Sequence, residues 1–274
     1  MPSVGFGYVP SLQEIYAELV FRVPAVSRAI IETRVIVYET GSNGAHPRDA
    51  GKRAVKPGEY FPAEATERGF QQRIYWIRDR LLAIETLNTA GDPIHFYMDE
   101  GLGEVAGDLT GTRHFEPVDV RHPYIPFMAG SLNGWLKGME QWGVYPTSVR
   151  LRRAYKSKFL YTLTDGEGSY AAFDPKRLQL KRIECLIEQS GQPARLSIVF
   201  GGSHIYGGKI AREKLLYFPR TVDFFIDGKL VKQITLLRLR HNPSLREFPL
   251  IRLRKSARDL IKVMPPSLAE HDIR

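Results

Sequence analysis

Residues 73–87, RIYWIRDRLLAIETL, decide the fold. They read as a β-hairpin that turns at Arg78–Asp79–Arg80. Side chains alternate faces along a strand, so a sheet with one wet face shows a polar residue at every second position. Here Ile74, Trp76, Leu82 and Ile84 share one parity, while Tyr75, Ile77, Leu81 and Ala83 share the other. Both faces of the hairpin are apolar, and the second one also calls for a cover.

Outward from the hairpin, the pattern is that of a meander. SRAIIETRVIVYE (27–39) is a long strand rich in β-branched residues. Residues 40–69 are dominated by Gly, Pro and charge and have no period, which marks a flexible insert or lid. TAGD turns the hairpin into PIHFYMDE, and a glycine-rich section with one or two short strands follows. After residue 143 come SVRLRRAY, KFLYTLT, SYAAFD, LQLKRIECLIEQ, ARLSIVFG, LYFPRTVDFFI and KLVKQITLLRLR, joined by links as short as Asp227–Gly228. Parallel strands need a crossover of about a dozen residues, so neighbours this closely linked pair antiparallel. Asp-Gly between two alternating runs is itself a strong hairpin signal.

Two helices interrupt the strands. Ser11 and Glu14 form a capping box ahead of Leu12, Ile15, Tyr16 and Leu19, and Pro24 closes the segment. The second helix is capped by Ser131, carries Leu132, Trp135, Leu136, Met139 and Trp142 on one side, and ends at Gly143. Together they make about 25 residues, too few to cover a curling sheet of ten or more strands. The expectation is therefore a partly open apolar hollow. Its lining is expected from Ile74, Trp76, Leu82, Ile84, Ile94, Phe96 and Met98, with Trp135 and Met139 from the second helix. Such a hollow either packs as ordinary core or takes an apolar guest.

The chain has 274 residues, 43% of them apolar, and no run of about 18 apolar residues that would span a membrane. Its net charge is +9 and dispersed, a solubility surplus rather than a nucleic-acid footprint. The single cysteine, Cys185, excludes an internal disulfide framework and a multi-cysteine metal site in this chain. MPSVGFGYVP lacks the basic and apolar regions of a signal peptide, which fits either a native cytoplasmic start or a mature envelope protein. The C-terminal stretch LIRLRKSARDLIKVMPP places Leu253, Ala257, Leu260, Ile261 and Met264 on one helical face. It reads either as a segment packed on the domain or as a basic helix on an anionic membrane surface.

Catalytic patterns are thin. None of His46, His95, His114, His122, His204, His241 and His271 has an i, i+4 partner or an HExxH setting, so no helical metal site is expected. His95 and Tyr97 share a strand face, as many structural pairs do. GLGEVAG precedes strand-like sequence and not the helix N-terminus that a phosphate cradle requires. GSLNG lacks the strand–turn–helix of a nucleophile elbow. No carboxylate pair suggests glycosidase chemistry. Neither an enzyme nor a bound cofactor is expected.

The order of elements over residues 11–250 resembles the outer-membrane lipoprotein carrier superfamily, the LolA/LolB-like fold that also includes RseB-type sensors. Three local features carry the likeness: the aromatic strand turning at Trp76, Arg78 and Arg80; the strand–turn–strand FDPKRLQLKRIE; and the closing NPSLREF. The resemblance implies a mainly β fold, an open antiparallel half-barrel of about eleven strands with helices covering the concave face. In these terms residues 1–250 form the half-barrel domain, with 40–69 as its insert and 251–274 as a basic tail. It further implies binding or carrying of lipid or acylated protein in the cell envelope, in the periplasm, with a signal peptide removed. Arg78 or Arg80 is implied as a lid or headgroup contact. Two alternatives stay open. One is an envelope interaction or sensor protein with a filled core and a protein partner; the other is anionic-surface binding through the tail. The insert and the tail depart from the shorter carrier pattern, which leaves lipid binding on firmer ground than lipoprotein shuttling.

Overall fold

The computed structural model describes residues 9–22, 26–38, 67–78, 80–88, 90–100, 104–109, 122–124, 127, 132–153, 159–164, 168–176, 178–189, 191–206 and 216–263. In chain order these form α1 (Leu12–Arg22), β1 (Arg28–Tyr38), β2 (Glu67–Ile77), β3 (Leu81–Leu87), β4 (Pro93–Asp99) and β5 (Glu104–Asp108). Then come α2 (Leu132–Glu140), β6 (Ser148–Arg153), β7 (Phe159–Thr164), β8 (Tyr170–Phe173), β9 (Leu180–Gln189) and β10 (Gln192–Tyr206). The chain closes with β11 (Leu216–Ile226), β12 (Lys229–His241) and α3 (Leu250–Val263).

The twelve described strands join one open sheet in the order β5-β4-β3-β2-β1-β12-β11-β10-β9-β8-β7-β6. Every neighbouring pair is antiparallel. Twelve described strands agree with the expected count of about eleven, and the sheet is open as expected. Its topology is two meanders joined where β1 meets β12.

Local chemistry accounts for the boundaries. Ser11 N–H donates to Glu14 Oε2 at 2.7 Å and Glu14 N–H to Ser11 Oγ at 3.2 Å, the reciprocal box that starts α1. Gly143 takes a φ of +65° just past α2. Asp227 (+47°) and Gly228 (+80°) make the two-residue turn between β11 and β12, a turn that needs positive φ at both central positions. In NPSLREF, Asn242 has a structural task. Its Oδ1 accepts from the backbone N–H of Ser27 at 2.8 Å and of Arg28 at 3.2 Å, tying the end of β12 to the start of β1. In FDPKRLQLKRIE, Asp174 Oδ1 accepts from Lys176 N–H at 3.0 Å and shapes the β8–β9 turn.

One boundary differs from expectation. Glu67–Gly69, assigned from sequence to the insert, belong to β2, where Gly69 pairs with Ile36; residues 40–66 and the proposed cap Ser131 lie outside the described residues. The start of the tail, α3, packs on the sheet over β4 and β5, the first of the two readings given for it above.

The sheet buries both faces. The inner face carries α1 and α2 and holds the larger core, to which every strand contributes. The outer face of β1–β5 carries α3, with Ile30, Tyr75, Leu81, Ala83, Phe96, Met98, Phe248, Leu253, Ala257 and Leu260 packed together. The second apolar parity of the 73–87 hairpin is therefore covered by the C-terminal helix.

Candidate apolar binding wall

Register decides which side chains reach the inner face. Ile31 stands opposite Ile74, Ile74 opposite Ile84, and Ile84 opposite Tyr97, giving one apolar row across β1–β4. The next row toward the hairpin turn is Ala29, Trp76 and Leu82. Ile74 and Ile84 are fully buried, Trp76 is 9% exposed, and Leu82 packs against the same core from its rim. From α2, Trp135 and Met139 are buried in it. These six expected residues are together.

Phe96 and Met98 are not with them. The β3–β4 register sets Ala83 against Met98 and Glu85 against Phe96, so the even residues of β4 stand on the outer face under α3. Ile94 shares their parity at the bulge between Thr86 and Leu87, and is half-buried. The bulge and the turn after it make even residues of β3 face the same way as odd residues of β4. Parity carried straight from one strand to the next misplaces all three.

The other half of the wall is aromatic and went unread in the sequence. Trp135 meets Phe173 with ring centroids 5.7 Å apart, and Trp142 meets Phe224 at 6.1 Å. Tyr124 stacks on Phe218 at 4.7 Å, and Phe127 packs on Phe200 at 5.2 Å. The inward parity of SIVFG and LYFPRTVDFF was visible, but their pairing with Tyr124, Phe127 and Trp142, on either side of α2, depends on tertiary contacts that a single sequence does not show. The two helices touch each other through Tyr16 and Trp135, at 6.0 Å.

Of the two candidate latch residues, Arg78 is engaged. Its Nη2 donates to the Val26 carbonyl and its backbone N–H to Ser27 O at 2.9 Å, on the segment linking α1 to β1. Arg80 is exposed at the turn, its backbone N–H donating to Ile77 O at 3.1 Å.

A depression of about 540 Å³ opens elsewhere, on the outer face, lined by Arg182, Arg195, Ser197, Val199, Phe225, Asp227 and Gly228. None of the expected lining residues borders it. At its floor Ser197 Oγ donates to the buried Glu184 at 3.0 Å and accepts from Arg182 Nη2 at 2.7 Å. Arg182 and Arg195 both face the Glu184 carboxylate. Its charged groups are thus already matched, and a hydrocarbon gains little there. Among the described residues no three His, Cys, Asp or Glu side chains gather as metal ligands, and no helix is long and apolar enough to cross a membrane.

No protein-family model and no curated protein matches the chain. Solved structures are similar to it, among them two from bacteria. One is a putative outer membrane lipoprotein-sorting protein domain from Vibrio parahaemolyticus, at 11% identity and TM-score 0.45, covering 88% of this chain and 97% of that one. The other is a LolA superfamily protein from Nitrosomonas europaea, at 7% identity and TM-score 0.49, covering 87% of this chain and 97% of that one. The second carries the name of the superfamily that the sequence resembles.

Proposed function

We propose that the inner wall takes up an acyl chain of a lipid or an acylated protein, with α1 and α2 as a cover that lifts to admit it. One observation supports this above others: every strand adds apolar side chains to a single wall, whose described cover is two helices of 11 and 9 residues with Tyr124, Phe127 and Trp142 packed beside them. Each CH₂ moved from water onto such a wall contributes about 0.8 kcal/mol. Arg78 holds the α1–β1 link as the hinge side of the cover, and Arg80 stands exposed where a phosphate or carboxylate headgroup would lie. The reading carries with it a non-enzymatic carrier role in the periplasm of the cell envelope.

A second reading is favoured by a different observation. Ile74, Ile84 and Met139 are 0% exposed, so this closed arrangement has no gap beside them. A sensor or interaction protein with a filled core would look the same. Lipid uptake separates the two. Native mass spectrometry of the full chain is expected to show co-purified lipid, and a hydrophobic dye should be taken up and displaced by palmitate. A clean mass and no uptake would remove the carrier reading and leave the filled core with a protein partner. Binding of an anionic surface by the tail is weakened by α3 itself, because Arg252 and Arg254 are engaged by Glu85 and Glu100.

A further inference from the structure

One row on the inner face of β1–β4 is polar. Thr33 stands opposite Gln72, Gln72 opposite Thr86, and Thr86 opposite His95. The rows flanking it are apolar, with Ile31, Ile74, Ile84 and Tyr97 on one side and Val35 and Phe70 on the other. Thr33 is 0% and Thr86 5% exposed, while Gln72 and His95 are half-buried. Internal pairing is poor. Gln72 Nε2 reaches Thr86 Oγ1 only at 3.5 Å, and Thr33 Oγ1 and His95 Nδ1 are buried with no hydrogen-bond partner among the described residues.

Buried polar atoms in folded proteins are nearly always paired, and leaving one unpaired destabilises the fold. Valine at position 33 would fill the same space, favour the strand as well and avoid the loss. Apolar ligand sites, in contrast, carry a few polar groups that fix the orientation of the guest.

We propose that the row Thr33–Gln72–Thr86–His95 receives the ester or amide linkage of an acyl chain whose hydrocarbon lies along Ile31, Ile74 and Ile84. The proposal deepens the carrier reading and rests on it. A linkage carbonyl has two lone pairs, which suit the Thr33 hydroxyl and the Gln72 amide N–H as donors. His95 Nδ1 is placed for an amide N–H or a glycerol hydroxyl next to that carbonyl. The row then sets how deep the chain sits and discriminates against guests that lack a carbonyl, because a site built to hydrogen-bond a group rejects the analogue without it.

The test compares two lipids of equal chain length, dipalmitoyl phosphatidylglycerol and its dihexadecyl ether analogue, in binding to the full chain. The wild type is expected to prefer the ester by about tenfold, the worth of one good hydrogen bond to a desolvated group. Thr33→Val should bring the ratio close to one while the melting temperature holds or rises. Thr33→Ser keeps a hydroxyl and should keep the preference, which separates loss of the group from loss of fold. Equal binding of ester and ether by the wild type, or an ester preference that survives Thr33→Val, overturns the assignment of the row and leaves the carrier reading standing. Failure of the wild type to take up either lipid overturns both.

Discussion

Glu85 sits 1% exposed on the outer face of β3, whose other outward side chains are apolar. Arg252 of α3 meets it with Nη1 at 2.5 Å from Oε1 and Nη2 at 2.9 Å from Oε2, and the same Nη2 lies 3.2 Å from Tyr75 Oη. The Glu85 carboxylate raises the Arg252 guanidinium above its ordinary pKa. Two parallel N–H···O bonds suit an arginine and would not be reproduced by lysine. Arg254 makes a similar fork to Glu100, but on the open surface. The two arginines are therefore expected to differ sharply on truncation. Arg252→Ala leaves a buried carboxylate unpaired and should cost about 3 kcal/mol; Arg254→Ala, which breaks a pair open to water, should leave the unfolding midpoint nearly unchanged. Urea unfolding of both variants checks this, and equal losses would show that the Glu85 pair carries no special weight. The sequence displayed a glutamate in a greasy strand and basic residues in a tail, yet nothing local joins positions 167 residues apart. The same limit left Arg78 and Arg80 undivided until the contact of Arg78 with Val26 was visible.

The helix α3 is the element whose pattern was legible and whose place was not. Its stripe was read from spacing alone, and Leu253, Ala257 and Leu260 of that stripe are buried; the side chains of Ile261 and Met264 lie outside the described residues. What it covers depends on register. The turn at 88–92 and the bulge ahead of it swap the parity between β3 and β4, turning Phe96 and Met98 outward. At Gly107 of β5 an added Cβ would come within 2.7 Å of Leu260 Cδ2, so the Leu260 side chain occupies the space a side chain there would need. A chain ending at Pro249 would expose Tyr75, Ala83, Phe96 and Met98 and strip Glu85 of its partner. Such a chain is expected to unfold at lower urea and to associate in size-exclusion chromatography, since exposed apolar patches of this size drive aggregation. A monomeric truncated chain of unchanged stability would show that α3 is dispensable to the sheet.

At the scale of the molecule, what was legible was what is local. Short links forced antiparallel neighbours and alternation fixed both faces of the hairpin, so the meander followed from spacing, while the openness of the sheet was what the family resemblance implied. The junction of β1 with β12 did not, because it joins residues about two hundred positions apart. The pH profile is likewise a property of the whole. Tyr16 on α1, Tyr75 under α3 and Tyr170 on β8 all have pKa values above the ordinary 10.0, chiefly from burial, and for Tyr75 and Tyr170 also from Glu85 and Glu184. A raised folded pKa adds stability that is complete below the unfolded value and is lost as pH climbs through the folded one. Melting temperature should therefore fall as pH rises past 10, in step with tyrosinate absorbance. Replacing Tyr16 and Tyr170 by Phe should soften that fall, and an identical profile in the double variant would remove tyrosine ionisation as its cause.

The outer ends of the sheet, β5 and β6, are made midway through synthesis, whereas its centre is made from the two strands farthest apart in the chain. A ribosome must therefore finish β12 before β1 gains its second neighbour. Until then the free border of β1, with its run of isoleucines and valines, stays available to any passing strand. Late closure of this kind favours slow maturation and a need for escorts during biogenesis.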